Sequence, residues 1–346
     1  MWRAGLHFET SPPSLFYHGC LMSERSAPSS TTRLTPPSTP PGAGAGSRTL
    51  RSTDHGKEGF GSVHEIYDAW TTDGPLDAAH WVHPFPLDPG AHRMAAVRAR
   101  QLHLHDVPMS STSDDVHDAH KYFAMSTRRW AIPARGQITV TADVRALTPG
   151  VQPGRVLPTT GRVLLDGQQV AATLHLTDLG GTGVVFDWFV GERTAFALYE
   201  RLMLPGVTEA TAYTQIVQEL TLPPSALPDG RHRYAIRFVR APGALDRVEW
   251  LLDGSVVMSA DHIGIPLDRQ PDAPALPVTY ASLGPGELLG ARVQALEVGI
   301  GIFSLLGEFP FNQVPGREVS IPREQRLFGQ GVDATFGPLV VTTEAA

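Results

Sequence analysis

Apolar and polar residues alternate along much of the chain beyond residue 60. In Gln137–Ala146, Ile138, Val140, Ala142, Val144 and Ala146 alternate with Thr139, Thr141, Asp143 and Arg145. A period of two places one set on each face of a strand, one buried and one wet. Val170–Thr177 alternates in the same way. Gly183–Val190 runs through Gly191-Glu192 into Thr194–Leu202, which reads as a hairpin with a tight turn at Gly191. Further strand signals cover Ala212–Leu222, Arg231–Arg240, Arg247–Met258, Val278–Leu283, Ala291–Phe303 and Phe336–Thr343, and Val63–Trp70 reads as a sheet edge. Trp81–Pro89 and Val107–Asp118 read as long loops. The count comes to roughly ten to twelve strands, with no amphipathic helix and no internal repeat. Short strands divided by Gly/Pro turns predict an all-β fold, a two-sheet antiparallel β-sandwich.

Composition sharpens the domain reading. Residues 24–57 are rich in Ser, Thr, Pro and Gly and nearly devoid of apolar side chains, so residues 1–60 are expected to be a disordered tail. Residues 61–346 are expected to form a single sandwich domain, and Met22 offers a second start for translation. The net charge of −7, with no basic run interleaved with aromatics, speaks against a nucleic-acid partner. Val298–Leu306 is too short to span a bilayer, so no membrane partner is expected. The first twenty residues lack the continuous apolar run of a signal peptide, which points to the cytoplasm. Cys20 is the one cysteine, so neither an intrachain disulfide nor a thiolate metal cluster is available.

His232–Val257 carries a more specific pattern. Tyr234, Ile236 and Phe238 alternate on one strand, a Pro-Gly turn follows, and Val248, Trp250 and Leu252 share a face of the next. Asp253-Gly254 then supplies a tight turn whose positive φ suits strand twist. This stretch resembles the concanavalin A-like lectin/glucanase jelly roll, which implies a fold and little about activity. A second stretch, Phe186, Asp187, Phe189 and Val190 followed by Ala197, Tyr199, Glu200, Arg201 and Leu202, resembles an uncharacterised actinobacterial family of jelly-roll proteins.

The glucanase resemblance implies a strand of the Glu-x-Asp-x-x-Glu kind, whose two carboxylates flank the scissile bond. That strand is absent; the nearest groups are Asp187, Glu192 and Glu200. Asp187, Tyr199, Glu200 and His120 are therefore the candidate catalytic residues. Asp187 is expected to face a residue near Phe196 across the hairpin. Tyr122, Trp81 and Trp130 are the candidate ligand contacts, because aromatics in or beside loops stack on rings, whereas Trp188 and Trp250 sit at core positions. His103, His105, His117 and His120 form a weaker metal-binding candidate, with Asp115 and Asp118 as added oxygen ligands. No cofactor is otherwise evident. Gly299-x-Gly301 and Gly329-x-Gly331 do not open helices after strands, so they are not phosphate loops. No Gly-x-Ser-x-Gly elbow occurs.

These residues point first to a ligand-binding jelly roll that holds a carbohydrate or other small molecule on its concave sheet face. An intracellular biosynthetic enzyme of cyclase or isomerase type, acting on a hydrophobic small molecule, is the alternative; a glycoside hydrolase-like enzyme is the second. The tail reading has a direct check. Deleting residues 1–57 should leave the melting temperature unchanged, and a drop of several degrees would make the tail part of the fold.

Overall fold

The computed structural model describes residues 61–84, 95–105, 119–156, 163–201, 214–241, 243–265, 287–304 and 329–346. The expected tail, the Val278–Leu283 strand and His117 lie outside the described residues. In chain order the strands begin with β1 (Ser62–Asp68), β2 (Trp81–Val82), β3 (Ala95–Arg98), β4 (Gln101–Leu104), β5 (Ala119–Ser126), β6 (Trp130–Ala131) and β7 (Gly136–Leu147). A short helical turn, α1 (Asp166–Gln169), leads into β8 (Ala171–Asp178), β9 (Val184–Val190), β10 (Thr194–Arg201) and β11 (Thr214–Thr221). Then come β12 (His232–Arg240), β13 (Arg247–Leu252), β14 (Ser255–Ala260), β15 (Ala295–Ser304), β16 (Asp333–Phe336) and β17 (Leu339–Ala345).

The strands form two antiparallel sheets packed face to face. Sheet A has nine strands in the order β14-β13-β12-β7-β16-β4-β3, with β17 also on β7 and β1 outside β17. Sheet B has eight, in the order β11-β10-β9-β8-β15-β5-β2, with β6 on β15. The period-two pattern decides what lies between them. Ile138, Val140, Ile236, Phe238 and Trp250 of sheet A meet Leu174, Leu176, Phe186, Trp188 and Ile300 of sheet B in one buried cluster.

Two indole N–H groups cross this core. Trp188 of sheet B donates to the Ala235 carbonyl of sheet A at 2.9 Å. Trp250 of sheet A donates to the Asp187 carbonyl of sheet B, also at 2.9 Å. Each indole is wholly buried and each donor is satisfied, so neither carries a desolvation penalty.

The predicted Asp253-Gly254 turn is present, with φ of 51° and 84°. The β9–β10 hairpin turns after Val190, as expected, and Gly191 is required there for close approach rather than for a positive φ. A Cβ there would lie 2.8 Å from both Asp166 Oδ2 and the Gly167 nitrogen. Asp166 Oδ2 instead accepts the Arg193 amide at 2.7 Å and fixes the turn. The segment around residue 100 contains a hairpin, β3–β4, with Ala99 and Arg100 both left-handed at φ 51° and 60°.

The outer face of sheet A is the wet one. Arg233 reaches Asp143 at 2.8 Å, and Glu249 is held by Arg237 and by Arg247, the latter at 2.6 Å. Burial raises the Glu249 carboxyl, but the two arginine hydrogen bonds outweigh it and hold that carboxyl below the ordinary glutamate range. Its folded value is lowered, so its contribution is complete above the unfolded value of about 4.3 and is lost as pH falls through the folded one. Glu249→Gln should therefore cost about 1–2 kcal/mol at neutral pH and little at pH near 3. Urea denaturation at the two pH values checks this; an equal loss at both would contradict it.

Candidate functional site

The outer face of sheet B differs in kind from that of sheet A. Strand registers give its side chains as rows running across the sheet. One row reads Met125, Gly299, His175, Asp187 and Leu198 on β5, β15, β8, β9 and β10. The next reads Phe123, Gly301, Thr173, Phe189 and Phe196. Two apolar clusters flank the centre: Ala171, Phe189, Phe196 and Leu198 on one side, and Phe123, Met125, Leu179 and Val185 on the other. Phe303 packs against both.

Three polar side chains stand in the middle of this apolar face. His175 Nδ1 is hydrogen-bonded to Asp187 Oδ1, and His175 Nε2 lies 2.6 Å from Thr173 Oγ1. Thr173, His175 and Asp187 are 0%, 2% and 1% exposed. The local cause is plain: residues two apart on β8 share a face, and antiparallel register sets Asp187 opposite His175. Rings enclose the imidazole, with Phe123 edge-on at 4.9 Å and Phe303 tilted at 5.3 Å between centroids. Gly299 and Gly301 make room for this packing. A Cβ on Gly299 would come within 2.9 Å of the Phe123 ring, and one on Gly301 within 2.9 Å of Thr173 Oγ1. Among Phe123, Phe189 and Phe303, only Phe303 is partly exposed, and its ring packs against His175.

Burial pushes the Asp187 carboxyl up, while the neighbouring imidazole pulls it down; burial dominates. With Nδ1 donating to Asp187, Nε2 is the nitrogen that can accept the Thr173 hydroxyl.

The sequence-predicted residues divide sharply. Asp187 is on this face. Glu200 shares it, one row further on, paired with Val185. Leu198, two residues beyond Phe196, stands opposite Asp187, as the hairpin reading expected. Val185 and Phe189 flank Asp187 on its own strand, so β9 carries no carboxylate dyad. Tyr199 points the other way, into the core, where its hydroxyl accepts the Gly264 amide and its ring packs on Phe186. Tyr122 is likewise a core residue at 1% exposure. Trp81 and Trp130 are not platforms. Both are buried around Tyr67, with indole donors on Asp68 at 3.0 Å and Glu65 at 3.3 Å. His120 stands on β5 opposite Phe303 in backbone register, and its side chain lies outside the described residues. His103 and His105 lie at β4 of sheet A, away from β5 of sheet B, and no metal-holding group of three occurs among the described residues. A cleft of about 510 Å³ opens elsewhere, at a sandwich end lined by Arg145, Arg193, Pro224, His232 and Tyr234. No helix among the described residues is long and apolar enough to cross a membrane.

A model described as "Family of unknown function (DUF6081)" matches residues 64–345. The chain belongs to this family. No curated protein matches it. Among solved structures, the DUF6081 chain is similar to an endo-1,3-β-glucanase from Streptomyces sioyaensis, at 13% identity and a TM-score of 0.43, over 84% of this chain and 99% of that one. It is similar to porphyranase B from Zobellia galactanivorans at 9% identity and 0.42, over 85% and 100%. It is similar to an endo-β-1,4-glucuronan lyase from the fungus Trichoderma reesei at 10% and 0.38, over 79% and 95%. The fold itself is the two-sheet antiparallel sandwich that the strand pattern predicts.

The trio itself can be tested for a structural role. His175→Leu strands a buried carboxyl and should cost about 3 kcal/mol or more. Adding Asp187→Leu should recover much of that loss, because an apolar pair suits this face. Urea titration of the single and double variants measures both; a double variant less stable than the single would mean that the trio holds the sheet together.

Proposed function

We propose that the protein binds a largely apolar small molecule on the outer face of sheet B, with one polar group of the ligand at Thr173, His175 and Asp187. The observation that carries this reading is the trio's position: three hydrogen-bonded polar side chains at the centre of a face built from phenylalanines, leucines and glycines. Ligand sites are commonly apolar with a few convergent polar groups. A sandwich needing only stability gains little by burying such a set, since apolar replacements of similar volume serve as well or better.

The ligand's class follows from the lining. An oligosaccharide presents many hydroxyls and asks for many polar partners and a stacking platform. The central two rows offer three polar groups, and the two tryptophans that would serve as platforms are turned into the core. A ring-bearing body with a single hydroxyl or carbonyl matches Phe123, Phe189 and Phe303 far better. Entry requires Phe303 to swing aside.

2-Naphthol is a suitable probe. It should bind saturably, by fluorescence titration, and His175→Leu should weaken it about tenfold, the value of one buried hydrogen bond. Phe303→Ala should change affinity as well. Binding of a laminari-oligosaccharide with no binding of naphthol would overturn the apolar reading in favour of a sugar. Naphthol binding indifferent to His175→Leu and Phe303→Ala would place the site elsewhere.

A further inference from the structure

We infer that Thr173 is a nucleophile and that the face proposed above carries acyl transfer or ester hydrolysis; the inference rests on that face being a ligand site. A hydroxyl on one imidazole nitrogen and a carboxylate on the other is the order that activates an alcohol. Here Thr173 Oγ1 is 2.6 Å from His175 Nε2, within the range for proton transfer, and Asp187 holds Nδ1.

Each part is fixed by its neighbours. Thr173 and His175 share a face of β8, so their relative position is set by backbone and not by a loop. Asp187 is anchored from behind, where Trp250 donates to its carbonyl. The branched Cβ of Thr173 restricts its rotamer and keeps Oγ1 on the imidazole. Gly301, opposite Thr173, bears no side chain beside Oγ1, and the space is filled by the edge of Phe303. Moving that ring clears the hydroxyl.

The chemistry balances without an external oxidant or reductant. Oγ1 attacks the ester carbonyl carbon, and the Oγ1–C bond forms as the hydroxyl proton passes to Nε2. The tetrahedral intermediate collapses, the bond to the leaving alcohol breaks, and Nε2 returns the proton to that oxygen. Water, deprotonated by Nε2, then attacks the acyl-threonine; the acid departs and Oγ1 regains its proton. Asp187 is a positioning residue, holding the imidazole and stabilising it while charged.

The test uses the full chain and 2-naphthyl butyrate, an ester of the alcohol used as the binding probe. Naphthol release is followed by fluorescence, and acid-quenched samples are mapped by mass spectrometry. The expected result is a single butyryl group on Thr173. Thr173→Ser keeps it; Thr173→Val and His175→Gln lose it and slow release about a hundredfold, and Asp187→Asn lowers the rate and alters its pH profile. Naphthol binding with no adduct, an adduct on another residue, or release unchanged in Thr173→Val would overturn the nucleophile and leave the ligand site standing. Failure of both ester and naphthol to engage the face would overturn both.

Discussion

The reciprocal indole bonds through the core tie this sandwich together. Trp188 reaches from sheet B to a sheet A carbonyl, and Trp250 reaches back to the carbonyl of Asp187. A buried indole N–H without an acceptor would cost about 1–3 kcal/mol, so the two sheets cannot slide by one residue without losing both bonds. A one-residue slip would also turn every side chain of a strand to its other face. Fixing Trp188 inward therefore fixes Asp187 outward. The register of the core thus determines the chemistry of the surface.

That register also explains the contrast between the two outer faces. Sheet A displays Arg233, Arg237, Arg247, Asp143 and Glu249 in pairs, which is how a strand faces water. The two central rows of sheet B display phenylalanines and two glycines around the polar trio, with Thr177 and Glu200 in the row beyond. Charged groups leave water at a large cost unless paired and hydrogen-bonded. The trio meets the requirement internally, since His175 satisfies Asp187 on one side and Thr173 on the other. A self-contained set of this kind can lie under apolar rings without unfolding the sheet.

Much of this was legible in the sequence, and the rest failed for identifiable reasons. Alternation located β7 to β12 within a residue or two, because period two follows directly from the pleat. It also separated Trp188 from Asp187. The β3–β4 hairpin was hidden because Ala99 and Arg100 take left-handed conformations with no glycine to announce them. Trp81 and Trp130 looked like loop aromatics, yet they close an aromatic cluster with Tyr67 and Trp70 that only tertiary structure assembles. Thr173 and His175 occupy the polar phase of a strand, and local pattern assigns that phase to water. The available signal was elsewhere: Gly299 and Gly301 sit two apart within a strand, which marks close approach on one face.

The coupling of charge to packing bounds what the trio can be. Burial raises the Asp187 carboxyl despite the imidazole beside it, so the contact with His175 Nδ1 is what keeps that carboxyl satisfied inside the sheet. The rings that enclose the imidazole make the hydrogen bonds within the trio matter more than they would in water.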